Sequence, residues 1–225
     1  MAYSKVILCL ANSRKISGRC LAGKEVAGGA YGAWIRPISA RPTGELSEVD
    51  RRYENGQDPK LLDLISVPLE APQPHGYQSE NHLINDKLYW TKVGTATTAD
   101  LRKALDEAKA PLWDDTSSSY NGDCDRVAEA TAVQLGTSLK LIEVSDLSIE
   151  VCVEGAEFGN AKRKIRGHFS LGNTKYKLSI TDPVIERKYF AGENGTFAIG
   201  KAILCISLSE PYQGYAYKLI AAVHN

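Results

Sequence analysis

The second half of the sequence is a succession of short apolar segments separated by turn residues. From Leu139 onward the segments read LKLIEV, LSIEVCV, RKIRGHFSLG, KYKLSIT, FAIGKAILCISLS and YAYKLIAAVH. Each has the length of a strand, and Tyr215, Tyr217 and Leu219 alternate on one face of the last. Six strands at this spacing are typical of a small barrel or sandwich. The sequence therefore predicts a mainly β C-terminal domain over residues 137–225.

The first half is also rich in β-strand patterns, but it is interrupted. Strand-length apolar segments lie at residues 6–10, 20–22, 33–38 and 61–69, with a Pro- and Gly-rich excursion over 41–60. A helix is predicted over about 99–110, because Leu101 and Leu105 lie at helical spacing, Thr98 can cap its start and Pro111 stops it. We expect an N-terminal β domain with this loop and helix insert over residues 1–136.

Composition restricts the function. The 225 residues include 27 basic and 27 acidic side chains, so the chain is not a generally basic nucleic-acid coat protein, although local basic patches are still compatible with it. The five Cys and four His lack zinc-site spacing, and nucleotide-binding and hydrolase motifs are absent. We therefore expect no metal, no cofactor and no catalytic residues. The absence of a signal-peptide pattern and of a membrane-length apolar run predicts a cytoplasmic protein.

Two basic segments are the strongest candidates for binding. The first, between Lys5 and Ser39, is hairpin-like, and the second, between Lys162 and Lys177, holds six basic residues and no acidic one. Arg and Lys bind phosphates, and aromatic side chains stack on unpaired bases. The candidate nucleic-acid-binding residues are Arg14, Lys15, Arg19, Trp34, Arg36, Lys162, Arg163, Lys164, Arg166, Phe169 and Tyr176. The alternative is that both segments are ordinary solvated strands, with Trp34 in the core.

Two further segments are dense in polar residues. Residues 75–81 read HGYQSEN, and residues 121–126 read NGDCDR. Together they offer a possible polar site of His75, Gln78, Glu80, Asn81, Asp123, Asp125 and Arg126. Such side chains can read base edges or perform acid–base chemistry. They can equally satisfy neighbouring backbone groups in linkers and turns.

Several strings along the chain resemble one family. CLANSRKISGRCLAG, GAWIRPIS, QSEN, NGDCDRV and the ending ITDP…LCISLSEPYQGYAYKLIAAV resemble the bacterial proteins described as dual OB-containing domains. The resemblance covers nearly the whole chain and implies two OB-like small β-barrels in tandem. It also implies a setting near helicases and mobile-element defence genes. No catalytic residues come with it.

These observations lead to an ordered set of expectations. The first is a non-catalytic accessory protein that binds single-stranded DNA or RNA, with a helicase or nuclease as its protein partner and no membrane contact. The second is a protein-interaction subunit that binds no nucleic acid, which the zero net charge favours. The third is an enzyme acting on nucleic acid or nucleotides, which requires His75, Glu80 and the pair Asp123 and Asp125 to converge.

Overall fold

The computed structural model describes residues 2–225, which form twelve β-strands and four short α-helices. Residue contacts divide these residues into two units, each containing one six-stranded sheet. Unit 1 comprises the residues up to Leu105 together with Gly136–Ser138, and unit 2 comprises Asp106–Leu135 and Leu139–Asn225. The predicted fold class is confirmed: the chain is mainly β, with two OB-like barrels in tandem.

Unit 1 is a closed barrel with one additional strand. Its elements are β1 (Tyr3–Lys15), β2 (Gly18–Ala27), β3 (Ala30–Ile38), α1 (Glu48–Arg51), β4 (Asp63–Pro72), β5 (Asn81–Ile84), β6 (Thr91–Thr95) and α2 (Thr98–Lys103). Strand β1 pairs antiparallel with both β2 and β4, β2 pairs with β3, and β3 runs parallel to β5, which returns to β4. This five-strand ring is the topology of an OB fold. Its core contains Ile7, Leu21, Ile35, Leu46, Ile65, Val67, Leu69, Ile84 and Trp90.

Unit 2 repeats the same ring. Its elements are β7 (Arg126–Ala128), α3 (Glu129–Ala132), β8 (Leu139–Glu154), β9 (Lys162–Leu171), β10 (Thr174–Ile180), α4 (Pro183–Phe190), β11 (Gly195–Leu208) and β12 (Tyr215–His224). Strand β8 pairs with β9 and β11, β9 pairs with β10, and β10 runs parallel to β12, which returns to β11. The additional strand β7 pairs with β12. Both units therefore share one strand order, which the sequence does not reveal as a repeat.

Three sequence-based expectations differ from the structure. The helix expected over 99–110 ends at Lys103, and its N-cap is Thr97, whose hydroxyl accepts from the backbone N–H of Asp100. It ends early because Asp106 pairs with Leu141: its N–H donates to the Leu141 carbonyl at 2.9 Å, and its carboxylate accepts from the Leu141 N–H at 2.7 Å.

The second difference concerns the strands after Leu139. The first two expected strands form the single long strand β8, because Ser145 and Asp146 stay extended and exposed between them. Strand β11 stays paired with β8 across this point, and its register shifts on both sides of Gly200, whose φ is +82°. Five strands therefore follow Leu139, rather than six.

The third difference is the place where the chain divides. The expected boundary follows residue 136, whereas the contacts place 106–135 in unit 2. In this segment β7 joins the unit 2 sheet, and the Leu112 N–H donates to the Tyr176 hydroxyl at 2.8 Å. The next residues, Gly136–Ser138, belong to unit 1, where the Ser79 hydroxyl donates to the Gly136 carbonyl at 2.6 Å.

Candidate nucleic-acid interface

The second basic segment forms β9 and part of β10, the second and third strands of the unit 2 barrel. Residues that lie opposite each other in a ladder share one face of the sheet. Glu150 of β8 lies opposite Arg166 of β9, which lies opposite Ser179 of β10, and His168 lies opposite Lys177. We call the side of β8–β10 that carries these residues the outer face of unit 2. The other side holds buried side chains such as Ile165 and Leu178, and faces the core.

The outer face carries more positive than negative charge. Its charged and titratable side chains are Glu150, Cys152, Glu154, Lys162, Lys164, Arg166, His168, Lys175 and Lys177. Arg166 donates to both carboxylate oxygens of Glu154, at 2.5 and 2.9 Å. Lys177 lies 2.8 Å from Glu150, and His168 lies 2.9 Å from the same oxygen. The two carboxylates are thus engaged by neighbours on the face itself.

These pairs keep both carboxylates ionised. The hydrogen bond from Lys177, with a further one from His168, holds the pKa of Glu150 below its ordinary range, although partial burial opposes this. Burial alone would raise the pKa of Glu154, but the hydrogen bonds and charge of Arg166 outweigh it and lower that pKa. Arg166 and Lys177 are therefore largely neutralised by their partners.

Three lysines on the outer face are not neutralised in this way. Lys162, Lys164 and Lys175 are exposed, and none forms an ion pair with a carboxylate within residues 2–225. They project from the two strands that form the usual ligand face of an OB barrel. Lys162 and Lys164 are thus exposed together with Lys175 of the same segment, and their contact with phosphates stays a prediction.

Arg163 lies on the opposite side of β9 and has a structural role. Its guanidinium donates to the carbonyls of Phe190 and Gly192 at 3.0 and 2.8 Å and to the Asn194 side chain at 2.9 Å. It therefore caps the C-terminal end of α4. We correct the expected phosphate contacts accordingly: Arg163 is engaged by the helix end, and Arg166, which is 7% exposed, is engaged by Glu154.

Phe169 and Tyr176 are core residues. Their side chains are 3% and 2% exposed, and their rings stack on each other with centroids 4.9 Å apart and an interplanar angle of 13°. Burial raises the pKa of Tyr176, and its hydroxyl accepts the Leu112 N–H. The expectation that these two rings stack on nucleobases is therefore wrong, because strand alternation turns them inwards.

A different aromatic pair is exposed in unit 2. Phe158, in the loop between β8 and β9, is 72% exposed, and Tyr120, in the segment before β7, is 78% exposed. Their rings touch edge to face with centroids 5.7 Å apart. Sequence reasoning missed both residues. The available signal was Phe158, a single aromatic residue between glycines in a short loop that joins two strands.

In unit 1 the first basic segment forms the β1–β2 hairpin. Arg14 lies directly opposite Arg19 in the ladder, and Lys15 lies opposite Gly18 at the turn. Arg14 is exposed, and Lys15 and Arg19 are half-buried. This hairpin is the loop between the first and second barrel strands, which is one of the two loops that OB folds use to hold ligands. These three residues keep the placement that the sequence predicted.

Trp34 and Arg36 of β3 are not at the surface. They are 8% and 3% exposed, and the Lys24 ammonium lies 5.5 Å from the centre of the Trp34 ring. The Arg36 guanidinium lies 3.1 Å from the Glu80 carboxylate and donates to the Ser138 hydroxyl at 2.8 Å. Their expected roles in base stacking and phosphate contact are therefore corrected: Trp34 is a packed ring, and Arg36 is half of a buried ion pair.

The polar segment 75–81 is the connection between β4 and β5. His75 and Gln78 close a tight turn through two backbone hydrogen bonds of 3.2 and 3.0 Å, and the Gln78 side chain accepts from Asn81 at 3.2 Å. Glu80 accepts from the Ser138 hydroxyl at 2.5 Å and pairs with Arg36. Of these residues only His75 is exposed, so the segment is chiefly an internal hydrogen-bond network.

The remaining polar candidates lie in unit 2. The Asp125 carboxylate accepts from the Ser119 N–H and hydroxyl at 2.7 and 2.5 Å, and the Arg126 guanidinium lies 3.9 Å from the centre of the Tyr215 ring. Asp123 pairs with β10 through its backbone. Glu80 and Asp125 are thus each bound by partners in their own unit. Within residues 2–225 no group of three or more His, Cys, Asp or Glu side chains is arranged to hold a metal ion.

Comparison with known proteins identifies the family. A family model described as the dual OB-containing domain matches residues 5–223, so the chain belongs to this family, as the resemblance indicated. Neither a curated protein nor a solved structure matches the chain. Among residues 2–225, no helix combines the length and the apolar character needed to cross a membrane.

Proposed function

We propose that this member of the dual OB-containing domain family is a non-catalytic nucleic-acid-binding protein. In this proposal the outer face of unit 2 holds the sugar–phosphate backbone of single-stranded DNA or RNA. The observation that carries the proposal is the group of three exposed lysines, Lys162, Lys164 and Lys175, on the second and third strands of an OB barrel. OB folds commonly take oligonucleotides across those strands and the loops beside them.

The electrostatics of the outer face suit a polyanion. Lysines without carboxylate partners release condensed counterions from a nucleic acid when they meet its phosphates, and this release drives binding. The net charge of the whole chain is zero, so attraction depends on local charge rather than on the sum. Each phosphate contact contributes about −0.7 to the slope of log affinity against log salt for a single strand, so three contacts contribute about −2.

Unit 1 offers a second basic contact at its β1–β2 hairpin. Arg14 and Arg19 face each other across the ladder, and like charges in that position repel. A phosphate bound at the hairpin would meet three basic side chains within one turn of the chain. We therefore include Arg14, Lys15 and Arg19 as secondary phosphate contacts.

The test is fluorescence anisotropy with labelled single-stranded DNA, single-stranded RNA and duplex over a series of salt concentrations. The variant Lys162→Ala/Lys164→Ala/Lys175→Ala should bind more weakly, and its salt slope should become shallower by about 2. A matched control removes three exposed lysines of unit 2 that lie outside the outer face, at positions 109, 188 and 201. It loses the same charge and should keep the wild-type slope. Absence of binding to every polymer at low salt would refute the proposal, as would equal losses in the two variants.

A second candidate function is that of a protein-interaction subunit. Its proposed partner is a helicase or nuclease, and the setting that the resemblance implies is mobile-element defence. It is favoured by three exposed apolar side chains that lie close together in the sequence of unit 1: Leu88, Tyr89 and Val93 are 51–55% exposed around the start of β6. Soluble domains seldom expose neighbouring large apolar side chains without a binding role. This candidate predicts a stoichiometric complex with a purified helicase or nuclease that Leu88→Glu/Val93→Glu abolishes, and no nucleic-acid binding.

A further inference from the structure

The exposed pair Tyr120 and Phe158 is unusual for a protein surface. Most of both rings is open to solvent, at 78% and 72% exposure, and yet the rings touch each other. Leaving two large rings in water forgoes the gain of burying them. Adjacent exposed aromatic residues of this kind commonly mark a binding site.

The loop that carries Phe158 is rigidly built. Gly155 and Gly159 both have positive φ, at +79° and +69°, and a side chain at Gly155 would approach the Asn160 carbonyl to 2.7 Å. The Phe158 N–H donates to the Gly155 carbonyl at 3.2 Å, and the Asn160 N–H donates to the same carbonyl at 2.9 Å. The loop therefore holds Phe158 outward through its own backbone, without burying the ring.

The segment that carries Tyr120 is braced as well. Ser119, the residue before Tyr120, donates to the Asp125 carboxylate through both its N–H and its hydroxyl. Ser118 accepts from the Cys124 N–H at 2.8 Å, which closes the same loop. Two separate segments are thus fixed so that their exposed rings meet. A ligand that stacks here loses little entropy by ordering the protein.

We propose that Tyr120 and Phe158 form a stacking site for an unpaired nucleobase, which makes unit 2 selective for single-stranded over duplex nucleic acid. The planes of the two rings are inclined by 68°, so a base that stacks on one ring meets the other with its edge. Only an unpaired base has its face free for this contact. The inference rests on the proposed function, because it takes its phosphate contacts from that surface.

The charge beside Phe158 favours a ligand that carries phosphates, whereas Asp115 and Asp125 of the Tyr120 segment accept hydrogen bonds within unit 2. Phe158 is followed after four residues by Lys162 and then Lys164, both exposed on the outer face, and residues 155–164 include one acidic side chain, Glu157. A flat aromatic ligand joined to phosphates fits an aromatic pair next to lysines. An apolar protein segment would have no use for the lysines, so the observations favour a nucleotide strand.

The experiment distinguishes contacts with the bases from contacts with the sugar–phosphate backbone. Wild-type protein is titrated with a labelled ten-nucleotide thymidine strand, with an abasic strand of the same length and phosphate charge, and with a ten-base-pair duplex. Stacking on one aromatic side chain strengthens binding by about tenfold, or about 1.4 kcal/mol. We expect the thymidine strand to bind about tenfold more tightly than the abasic strand. Phe158→Ala, Phe158→Leu and Tyr120→Ala should each reduce this ratio towards one, and Phe158→Tyr should preserve it.

The control is Tyr89→Ala, which removes an exposed tyrosine of unit 1 and should leave the ratio unchanged. Equal wild-type affinity for the thymidine and abasic strands would overturn the stacking site while leaving the phosphate-binding proposal intact. A Phe158→Ala variant that weakens binding of both strands equally would overturn it too. Failure of wild-type protein to bind either strand at low salt would refute the proposed function itself, and this inference with it.

Discussion

Replacing Arg36 with methionine should destabilise unit 1 by roughly 3–5 kcal/mol, the usual cost of leaving a buried charge without its partner. The side chains of Arg36 and Glu80 are 3% and 2% exposed, and their charged atoms are 3.1 Å apart. Without Arg36, the Glu80 carboxylate would keep only its contacts with Ser138, the hydroxyl at 2.5 Å and the N–H at 3.4 Å. Two hydrogen bonds do not replace a full opposite charge at a buried site.

The double variant Arg36→Met/Glu80→Leu should recover much of this loss. It removes both charges and fills the space with apolar side chains of similar size, so the remaining cost is the unsatisfied Ser138 donors, about 1–3 kcal/mol. The losses of stability in the two single variants should therefore not add up to the loss in the double variant, because the two residues share one interaction.

The assay is urea unfolding of the full chain, in a Trp113→Phe background, followed by tryptophan emission, since Trp113 lies in unit 2 and Trp34 and Trp90 lie in unit 1. Arg102→Met, at an exposed position of α2, is the control and should change stability by no more than about 0.5 kcal/mol. An Arg36→Met loss as small as that of the control would refute the buried pair, and additive single losses would refute the coupling. A shallower salt slope for DNA binding in correctly folded Arg36→Met protein would return Arg36 to the list of phosphate contacts.

Two further predictions concern unit 2. Burial lowers the pKa of Lys218 from 10.5 to about 8. Between these two pH values the unfolded chain binds a proton that the folded chain does not. The free energy of unfolding therefore rises with pH, by up to about 1.4 kcal/mol per pH unit. Lys218→Met should flatten this rise in urea unfolding series between about pH 8 and pH 10; an unchanged slope would contradict it. Arg163→Ala should lower stability by about 1–2 kcal/mol, because α4 loses its cap, and leave the salt slope of DNA binding unchanged in the anisotropy assay. A shallower slope would show that Arg163 contacts phosphates.

The strands of this chain were largely visible in the sequence, and the barrel closure was not. Alternation and turn residues predict β-structure over most of both units, because they reflect local burial on one face of a strand. The OB ring depends on the parallel pairs β3–β5 and β10–β12, which join strands far apart in sequence. Only the family resemblance supplied that architecture. The prediction of a helix over 99–110 was wrong for a related reason, since the pairing of Asp106 with Leu141 overrides the helical spacing.

The sequence pointed to the basic segments, but it was not used to separate the two faces of their strands. In β9 the period of two places Lys162, Lys164 and Arg166 on one side and Arg163 and Phe169 on the other. Applied strictly to the sequence alone, that period separates the exposed lysines, which are the proposed phosphate contacts, from the buried ring of Phe169. The burial of Arg36 has no such local signal, because its partner Ser138 lies 102 residues away.

The two barrels share one topology but differ on their second and third strands. Both connect their fourth and fifth barrel strands through a tight turn closed by two backbone hydrogen bonds, at His75–Gln78 in unit 1 and at Tyr212–Tyr215 in unit 2. On the ligand strands they diverge. In unit 1 the cation of the third barrel strand, Arg36, is buried against Glu80 and holds residues 136–138 in place. In unit 2 the corresponding strands keep their lysines exposed. A barrel whose ligand face already holds part of its own chain cannot also present that face to a polyanion. Binding through the strands is therefore expected from unit 2, with unit 1 contributing only its basic hairpin.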